Sequence, residues 1–210
     1  MRRTKTIMNQ SGQKSSFKIS ELTKAAMFIA LMAISANLTA FITVGTVPLT
    51  FQTVVAILAG ILLGKKLGTF SMVGYTVIGL LGVPVFAGLK GGMHVITTST
   101  FGFILSFIVL AFVAGLIVEK AKRPTLLTYF IASFAGLLIN YGIGVPYVYF
   151  YTHFVLELTE VTFTAISVGM GPFFVKDAIL AGFAAVLCPK ILKAVNASSR
   201  QMNNSHPSAS

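Results

Sequence analysis

The sequence predicts an all-α protein, an integral membrane bundle of six transmembrane helices with both termini in the cytoplasm. Hydrophobic residues make up 55% of its 210 residues and charged residues only 10%, whereas soluble domains carry about 25% charged residues. The mean hydropathy is +0.86. Apolar stretches recur along the chain, and a stretch of about 20 residues is long enough to cross a bilayer.

The first three predicted spans cover residues 22–44, 49–63 and 69–86. The first has no charged residue after Lys24. The second is short and ends at a turn in which Lys65 and Lys66 lie between two glycines. The third resumes the apolar pattern and is followed by the glycine-rich loop 88–92. Glycines and charges at these points mark the ends of apolar segments.

The last three predicted spans cover residues 96–118, 126–149 and 173–192. The fourth ends at Glu119 and at a basic turn that runs to Pro124. The fifth begins directly after that turn. The sixth is the last apolar segment of the chain, and it contains the neighbouring residues Lys176 and Asp177.

The basic residues cluster outside the spans, in the N-terminal tail, at 65–66, at 120–123 and near the C-terminus. With six spans these clusters fall on one side of the membrane, and the positive-inside rule makes that side cytoplasmic. We therefore expect a basic cytoplasmic tail at 1–20, one membrane domain at 21–195 and a disordered C-terminal tail at 196–210.

Several functions are set aside by the sequence. The formal charge of +11 is interpreted as topology control and attraction to anionic lipid headgroups, not as nucleic-acid binding. The chain has no P-loop motif for ATP hydrolysis. Its single cysteine, Cys188, cannot form an internal disulfide or a multi-thiolate metal site, and no two histidines have zinc-site spacing. We expect neither a metal site nor an enzyme.

Asp177 is the main candidate for a functional residue. An ionisable side chain inside a membrane span is energetically expensive and is by default a functional-site hypothesis. Alternatively, the pair formed with Lys176 only locks a helix into the bundle or lies at the membrane interface. Lys90 is the one basic residue in a loop predicted to face outward, so it either meets an anionic ligand group or is a solvated lysine.

Uncharged polar side chains add to this set. Gln52 lies at the start of the second span, Tyr75 in the third, and Asn140 and Tyr141 in the fifth. Taken singly, each is explained as a core polar residue with an internal partner. Taken with Asp177, they supply donors and acceptors for a small polar molecule that enters from outside.

Alanines recur at helical spacing in the first span, at Ala26, Ala30, Ala33, Ala36 and Ala40. Such a stripe of small side chains allows close helix approach in lipid. It is explained either by packing within the bundle or by docking of another membrane subunit.

Five sequence pieces occur in a fixed order between about residue 20 and residue 195. They are Leu22-Thr23-Lys24-Ala25-Ala26 leading to Ala30, Val47-Pro48-Leu49-Thr50-Phe51-Gln52-Thr53, Gly60-x-x-x-Gly64, Gly82-Val83-Pro84-Val85-Phe86-Ala87-Gly88 with Gly91-Gly92, and Gly171-Pro172-Phe173-Phe174-x-x-Asp177. In this combination they resemble the BioY family, the biotin-binding S components of energy-coupling factor (ECF) transporters.

The resemblance implies a subunit that captures biotin from outside, without enzymatic activity or a cofactor. It also implies docking through Ala26 and Ala30 on a transmembrane coupling subunit, which two ATPase subunits drive. The expected location is the cytoplasmic membrane of a bacterium, in contact with lipid.

The resemblance implies that Asp177, Lys90, Gln52 and Tyr75 lie at the ligand. From the chemistry of biotin, Asp177 would accept from the ureido ring, Lys90 or Lys176 would meet the valerate carboxylate, and aromatic side chains would line the ring and chain. The full predicted set is Asp177, Lys176, Lys90, Gln52, Tyr75, Phe86, Gly91, Gly92, Asn140 and Tyr141.

The chain departs from the family pattern at two places. The Gly-Gly-x-Gly-Gly loop has Leu89 in place of its second glycine. The usual lysine three residues after the aspartate is replaced by Leu180, whereas Lys176 precedes Asp177. Positions 176 and 180 share one face of a helix, and a flexible lysine stem spans much of the gap.

Three alternatives stay open at the level of the sequence. A stand-alone secondary transporter or channel would need coupling-ion groups, for which the chain has few acids. An intramembrane enzyme would need a nucleophile and base that the sequence does not offer. An S component for a different vitamin would share the architecture.

Overall fold

The computed structural model describes residues 18–44 and 47–204, and the side chains of 18–43 and 47–195. Its helices are α1 (Ile19–Asn37), α2 (Gln52–Leu80), α3 (Phe101–Lys120), α4 (Leu126–Phe154), α5 (Phe163–Gly169) and α6 (Gly171–Asn204), with a 3-10 helix at Met93–Thr97. Two short antiparallel strands, β1 (Thr43–Val44) and β2 (Val47–Pro48), form a hairpin between α1 and α2.

Five of the described helices are long and apolar enough to cross a membrane, namely α1, α2, α3, α4 and the part of α6 at Gly171–Val195. Large apolar side chains such as Ile34, Leu138 and Phe183 are exposed on the bundle surface. Lipid is the solvent that such a surface suits. The prediction of a predominantly helical, multi-pass membrane protein is confirmed.

The helix α2 consists of two antiparallel arms that meet at Gly64. This glycine has φ +80° and ψ 169°, which is not a helical conformation. The side chains of Gln52 and Tyr75 hydrogen-bond each other, although a straight helix would separate these positions by roughly 35 Å. The arms 52–63 and 65–80 therefore lie side by side, at the places where the sequence predicts the second and third spans.

Glycines allow the arms of α2 and the helix α3 to touch through their backbones. A Cβ atom at Gly60 would lie 2.4 Å from the carbonyl oxygen of Ala111, and one at Gly68 would lie 2.6 Å from that of Ala59. The bend is tied to the end of α3 by Glu119, which accepts from the backbone N–H of Lys65 at 2.8 Å. Helix α2 thus lies at the centre of the bundle, between α1, α3 and α6.

The connection 81–100 differs from the sequence prediction. The sequence predicts that the third span continues beyond Leu80, but α2 ends there, because Gly82 takes φ +106°. The predicted start of the fourth span falls within the 3-10 helix, and α3 begins only at Phe101. We call the end of the bundle that carries β1, β2 and this connection the hairpin end.

Two further differences lie at α5 and α6. The seven-residue helix α5 is not predicted, since it is too short to show helical periodicity. Helix α6 continues through residues 196–204, which belong to the predicted disordered tail 196–210, because an established helix adds residues at little cost. Residues 205–210, and residues 1–17 of the predicted N-terminal tail, lie outside the described residues.

Candidate ligand-binding site

A cavity of about 530 Å³, including its open mouth, lies at the hairpin end of the bundle. Its polar wall is formed by Thr50, Gln52, Thr53, Thr100, Asn140, Tyr141, Lys176 and Asp177. Its apolar wall is formed by Val47, Pro48, Ala87, Phe103, Ile104, Phe107 and Phe173.

Asp177 is buried in this wall, and its two oxygens have different surroundings. Its Oδ2 atom accepts hydrogen bonds from the hydroxyl of Thr53 at 3.0 Å and from that of Tyr141 at 2.9 Å. Its Oδ1 atom lies 2.8 Å from Nζ of Lys176 and forms an ion pair with it, and it has no other polar partner among the described residues. A carboxylate oxygen can accept more than one hydrogen bond, so Asp177 keeps acceptor capacity beyond this ion pair.

Lys176 reaches the cavity although it precedes Asp177 on α6. Its ammonium donates to the backbone carbonyl of Thr50 and lies 5.7 Å from the ring centroid of Phe51. Its ion pair with Asp177 balances the charge of the carboxylate. Its hydrogen bond to Thr50 connects the start of α6 to the residues just before α2. A lysine is thus present in the site even though Leu180 occupies the position where the family pattern has one.

A second layer of hydrogen bonds supports the carboxylate. Asn140 Nδ2 donates to the hydroxyl of Thr53 at 3.3 Å, and the hydroxyl of Ser106 donates to Asn140 Oδ1 at 2.6 Å. The network joins α2, α3, α4 and α6. Sequence reasoning missed Ser106, because a lone serine in an apolar helix carries no local signal. It included Thr53 only as part of the sequence piece 47–53.

Gln52 faces the cavity, whereas Tyr75 lies behind it. Gln52 Nε2 donates to the Tyr75 hydroxyl at 2.9 Å, and that hydroxyl donates to the carbonyl of Val85 at 3.1 Å. Tyr75 is fully buried and meets Phe86 edge-on at a centroid distance of 5.3 Å. Neither aromatic ring is part of the cavity wall.

The glycine-rich loop folds back on itself. Phe86 and Lys90 exchange two backbone hydrogen bonds, and the N–H of Gly92 donates to the carbonyl of Gly79. The side chain of Lys90 is exposed, and Gly91 packs on the backbone of Val83.

The structure brings together one half of the predicted ligand-binding set. On the cavity wall lie Asp177, Lys176, Gln52, Asn140 and Tyr141. Away from the wall lie Tyr75, Phe86, Lys90, Gly91 and Gly92. Because the loop is closed on itself with Phe86 as its buried anchor, only Ala87 from this loop lines the cavity. The role of Lys90 in ligand binding stays a prediction.

The alanines of α1 lie on two different faces of the helix. Ala26 and Ala30 are exposed, whereas Ala25 and Ala36 are buried against the bundle. The exposed pair is therefore not used for packing within this chain. No group of three or more possible metal ligands occurs among residues 18–44 and 47–204.

The cavity combines apolar walls with a few convergent hydrogen-bonding groups and a balanced ion pair, which suits a small, partly apolar ligand with an N–H edge. Comparison with known proteins gives the family. The model of the BioY family matches residues 8–197. The chain belongs to the BioY family.

Curated members of the BioY family match over most of their length. A protein of Thermotoga maritima, named biotin transporter BioY, is 38% identical over 173 residues, which are 82% of this chain and 96% of that protein. A probable biotin transporter BioY of Pyrococcus horikoshii is 35% identical over 178 residues, with 83% and 97% of the two chains covered.

A solved structure shares the fold. It is the crystal structure, at 2.1 Å, of the S component for biotin from an ECF-type ABC transporter. The TM-score is 0.65 at 25% sequence identity, and the match covers 87% of this chain and 95% of the other. The family assignment made from the sequence motifs is confirmed, and the family is one of transport proteins, as the expectation of a non-enzyme requires.

Proposed function

We propose that this chain is the biotin-binding S component of an ATP-driven ECF importer. The observation that carries the proposal is Asp177, a buried carboxylate on the cavity wall whose Oδ1 atom has only the ammonium of Lys176 as a polar partner among the described residues. The similarity to proteins named as biotin transporters supports the choice of ligand.

Biotin fits the chemistry of this cavity. An N–H of its ureido ring donates to Asp177 Oδ1, and the ammonium of Lys176 and the amide of Gln52 are near enough to the cavity to meet the ureido carbonyl. Phe103, Phe107 and other apolar side chains cover the thiophane ring and alkyl chain. A ligand without the N–H edge leaves these groups unpaired, at a cost of about 1–3 kcal/mol for each.

The proposed topology has six transmembrane segments, namely α1, the two arms of α2, α3, α4 and α6. Both termini then lie on the same side of the membrane, together with the α2 bend at Lys65 and Lys66 and the basic turn at 120–123. The positive-inside rule assigns this side to the cytoplasm. The hairpin end and the mouth of the cavity then face outward, in the direction from which biotin arrives.

The proposed partners are a transmembrane coupling subunit and two ATPase subunits, in the cytoplasmic membrane of a bacterium. Ala26 and Ala30 form a small-residue stripe on the exposed face of α1, and such stripes let helices approach closely in lipid. The chain needs no cofactor in this role, because the energy of transport is supplied by the partners.

The test is calorimetric titration of the purified chain in detergent with biotin, thiamine and riboflavin. We expect heat of binding with biotin alone. Absence of binding to biotin by the folded chain contradicts the assignment, and binding of another vitamin identifies a different S component. Uptake of biotin by the chain reconstituted alone in vesicles would identify a stand-alone transporter instead.

A further inference from the structure

The hairpin end of α1 holds both segments that line the mouth of the cavity. The first segment is 47–53, at the start of α2. The backbone N–H of Phe51 donates to the carbonyl of Ser35 at 3.1 Å, and the hydroxyl of Thr39 donates to the carbonyl of Leu49 at 2.8 Å. Residues 35–39, at the C-terminal end of α1 and directly after it, therefore hold the segment 47–53 in place.

The second segment is the loop 82–92, and Asn37 holds it through its side-chain amide. The N–H of Leu89 donates to Asn37 Oδ1 at 2.7 Å. Asn37 Nδ2 donates to the carbonyl of Ala33 on its own helix at 2.9 Å and lies 3.5 Å from the carbonyl of Val85. The amide thus joins α1 to two points of the loop.

The bond to Leu89 is made where the loop is conformationally strained. Leu89 has φ +54° and follows Gly88 at φ +75°, and the left-handed region is unfavourable for a residue with a branched side chain. The side chain of Leu89 is 69% exposed, so packing does little to hold it. The hydrogen bond that the Leu89 N–H donates to Asn37 Oδ1 stabilises this conformation from outside the loop, in addition to the two backbone bonds between Phe86 and Lys90.

The same loop is tied to the cavity on its other side. The Tyr75 hydroxyl donates to the carbonyl of Val85 and accepts from Gln52, which lines the cavity. Between these two attachments, Ala87 contributes to the cavity wall. The position of Ala87 over the ligand site is therefore set from α1 on one side and from α2 on the other.

We propose that Asn37 is a positioning residue for ligand binding, which holds the loop 82–92 against the mouth of the cavity through the N–H of Leu89. It does not itself touch the ligand, since it is not part of the cavity wall. The inference rests on the proposed function only for the choice of biotin as the probe.

The first measurement is hydrogen exchange, followed by mass spectrometry, on the full chain in detergent. The variants are Asn37→Ala, which removes the acceptor, Asn37→Asp, which keeps an oxygen at Oδ1 but loses the Nδ2 donor, and the control Leu38→Ala, whose exposed side chain follows α1 directly. We expect amides of 86–92 to exchange about fivefold faster in Asn37→Ala, the factor for one hydrogen bond of typical strength. Exchange in Asn37→Asp is expected to lie between that of Asn37→Ala and that of the unsubstituted protein, and Leu38→Ala is expected to remain close to the unsubstituted protein.

The second measurement is the dissociation rate of biotin in the same variants. We expect it to rise about fivefold in Asn37→Ala and to be partly restored in Asn37→Asp. Unchanged exchange of the loop in Asn37→Ala overturns the proposal, and so does faster exchange with unchanged biotin dissociation. Equal behaviour of the Ala and Asp variants overturns the role of Oδ1. Failure of the unsubstituted protein to bind biotin refutes the proposed function, while the exchange comparison still decides whether Asn37 holds the loop.

Discussion

Asp177 owes its suitability as a ligand acceptor to the unequal surroundings of its two oxygens. Hydroxyls of Thr53 and Tyr141 occupy Oδ2, whereas Oδ1 meets only the ammonium of Lys176. A charge within a membrane span is expensive unless it is paired. The neighbouring lysine provides the pairing, and the two hydroxyls fix the carboxylate at the cavity wall.

Asp177→Asn is expected to weaken biotin binding by about 10- to 100-fold, because a hydrogen bond to a charged group contributes about 1.5–3 kcal/mol. The substitution also leaves the Lys176 ammonium without its counter-charge. Calorimetric titration measures the affinity. Glu160→Gln, which changes an exposed carboxylate remote from the cavity wall, serves as the control and should bind as the unsubstituted protein does. Full affinity in a folded Asp177→Asn variant would remove Asp177 from the site.

Ser106→Ala is expected to lower biotin affinity by about fivefold, through loss of the hydrogen bond that orients Asn140 and a net contribution of about 1 kcal/mol. Ser71→Ala is the matched control. Both serines are fully buried in helices, but Ser71 donates only to the carbonyl of Leu67 on its own helix. If both variants lose affinity equally in the same titration, the effect is one of general packing and not of the network.

The residue scale also shows where sequence reasoning reaches its limit. Asp177 could be singled out because a charge in an apolar segment is conspicuous, and Asn140 and Gln52 because they are polar. Ser106 could not, since its role depends on Asn140, which lies 34 positions away in the sequence. The left-handed conformation at Leu89 was equally out of reach, because it depends on a contact with α1.

At the scale of elements, the two arms of α2 are the feature that organises the bundle. Gly64 reverses the chain, and Gly60 and Gly68 let the arms and α3 meet without intervening side chains. The sequence placed the break between two spans correctly, because Gly64, Lys65 and Lys66 interrupt an apolar pattern there. The sequence did not predict where α2 ends and where α3 begins, since those positions depend on how the 81–100 connection folds against Tyr75 and Gly79.

Gly60→Ala is expected to destabilise the protein by about 1–3 kcal/mol, the usual cost of overpacking, because the added Cβ atom would lie 2.4 Å from the carbonyl oxygen of Ala111. Gly142→Ala in α4 is the control, since no atom other than the nearby backbone of α4 itself lies within 4 Å of the added Cβ. Thermal unfolding in detergent should show a lower midpoint for Gly60→Ala alone. Equal midpoints would mean that the arms and α3 can separate at no cost.

At the scale of the whole molecule, α1 has two faces with different surroundings. One face packs on the bundle through Ala25, Met32 and Ala36, which are buried. The other exposes Ala26 and Ala30. Because the cavity is lined by the start of α2, the middle of α4 and the start of α6, the proposed docking surface and the proposed ligand site lie on separate parts of the protein.

Ala30→Trp is therefore expected to reduce recovery of the chain with a coupling subunit and its ATPases, while leaving biotin affinity unchanged. The bulky ring prevents close approach of another helix at the stripe. Leu138→Trp is the control, because Leu138 is 63% exposed on α4, away from the stripe. Co-purification and calorimetry give the two readouts, and intact assembly of Ala30→Trp would exclude this face as the docking surface.

The ion pair between Lys176 and Asp177 bears on the energy source of transport. Lys176 already supplies the counter-charge for Asp177, so this carboxylate does not need a sodium ion for that purpose. Varying the sodium concentration at constant ionic strength should then leave the dissociation constant for biotin unchanged. In the proposed assembly, uphill movement of the vitamin is driven by nucleotide hydrolysis in the partner subunits.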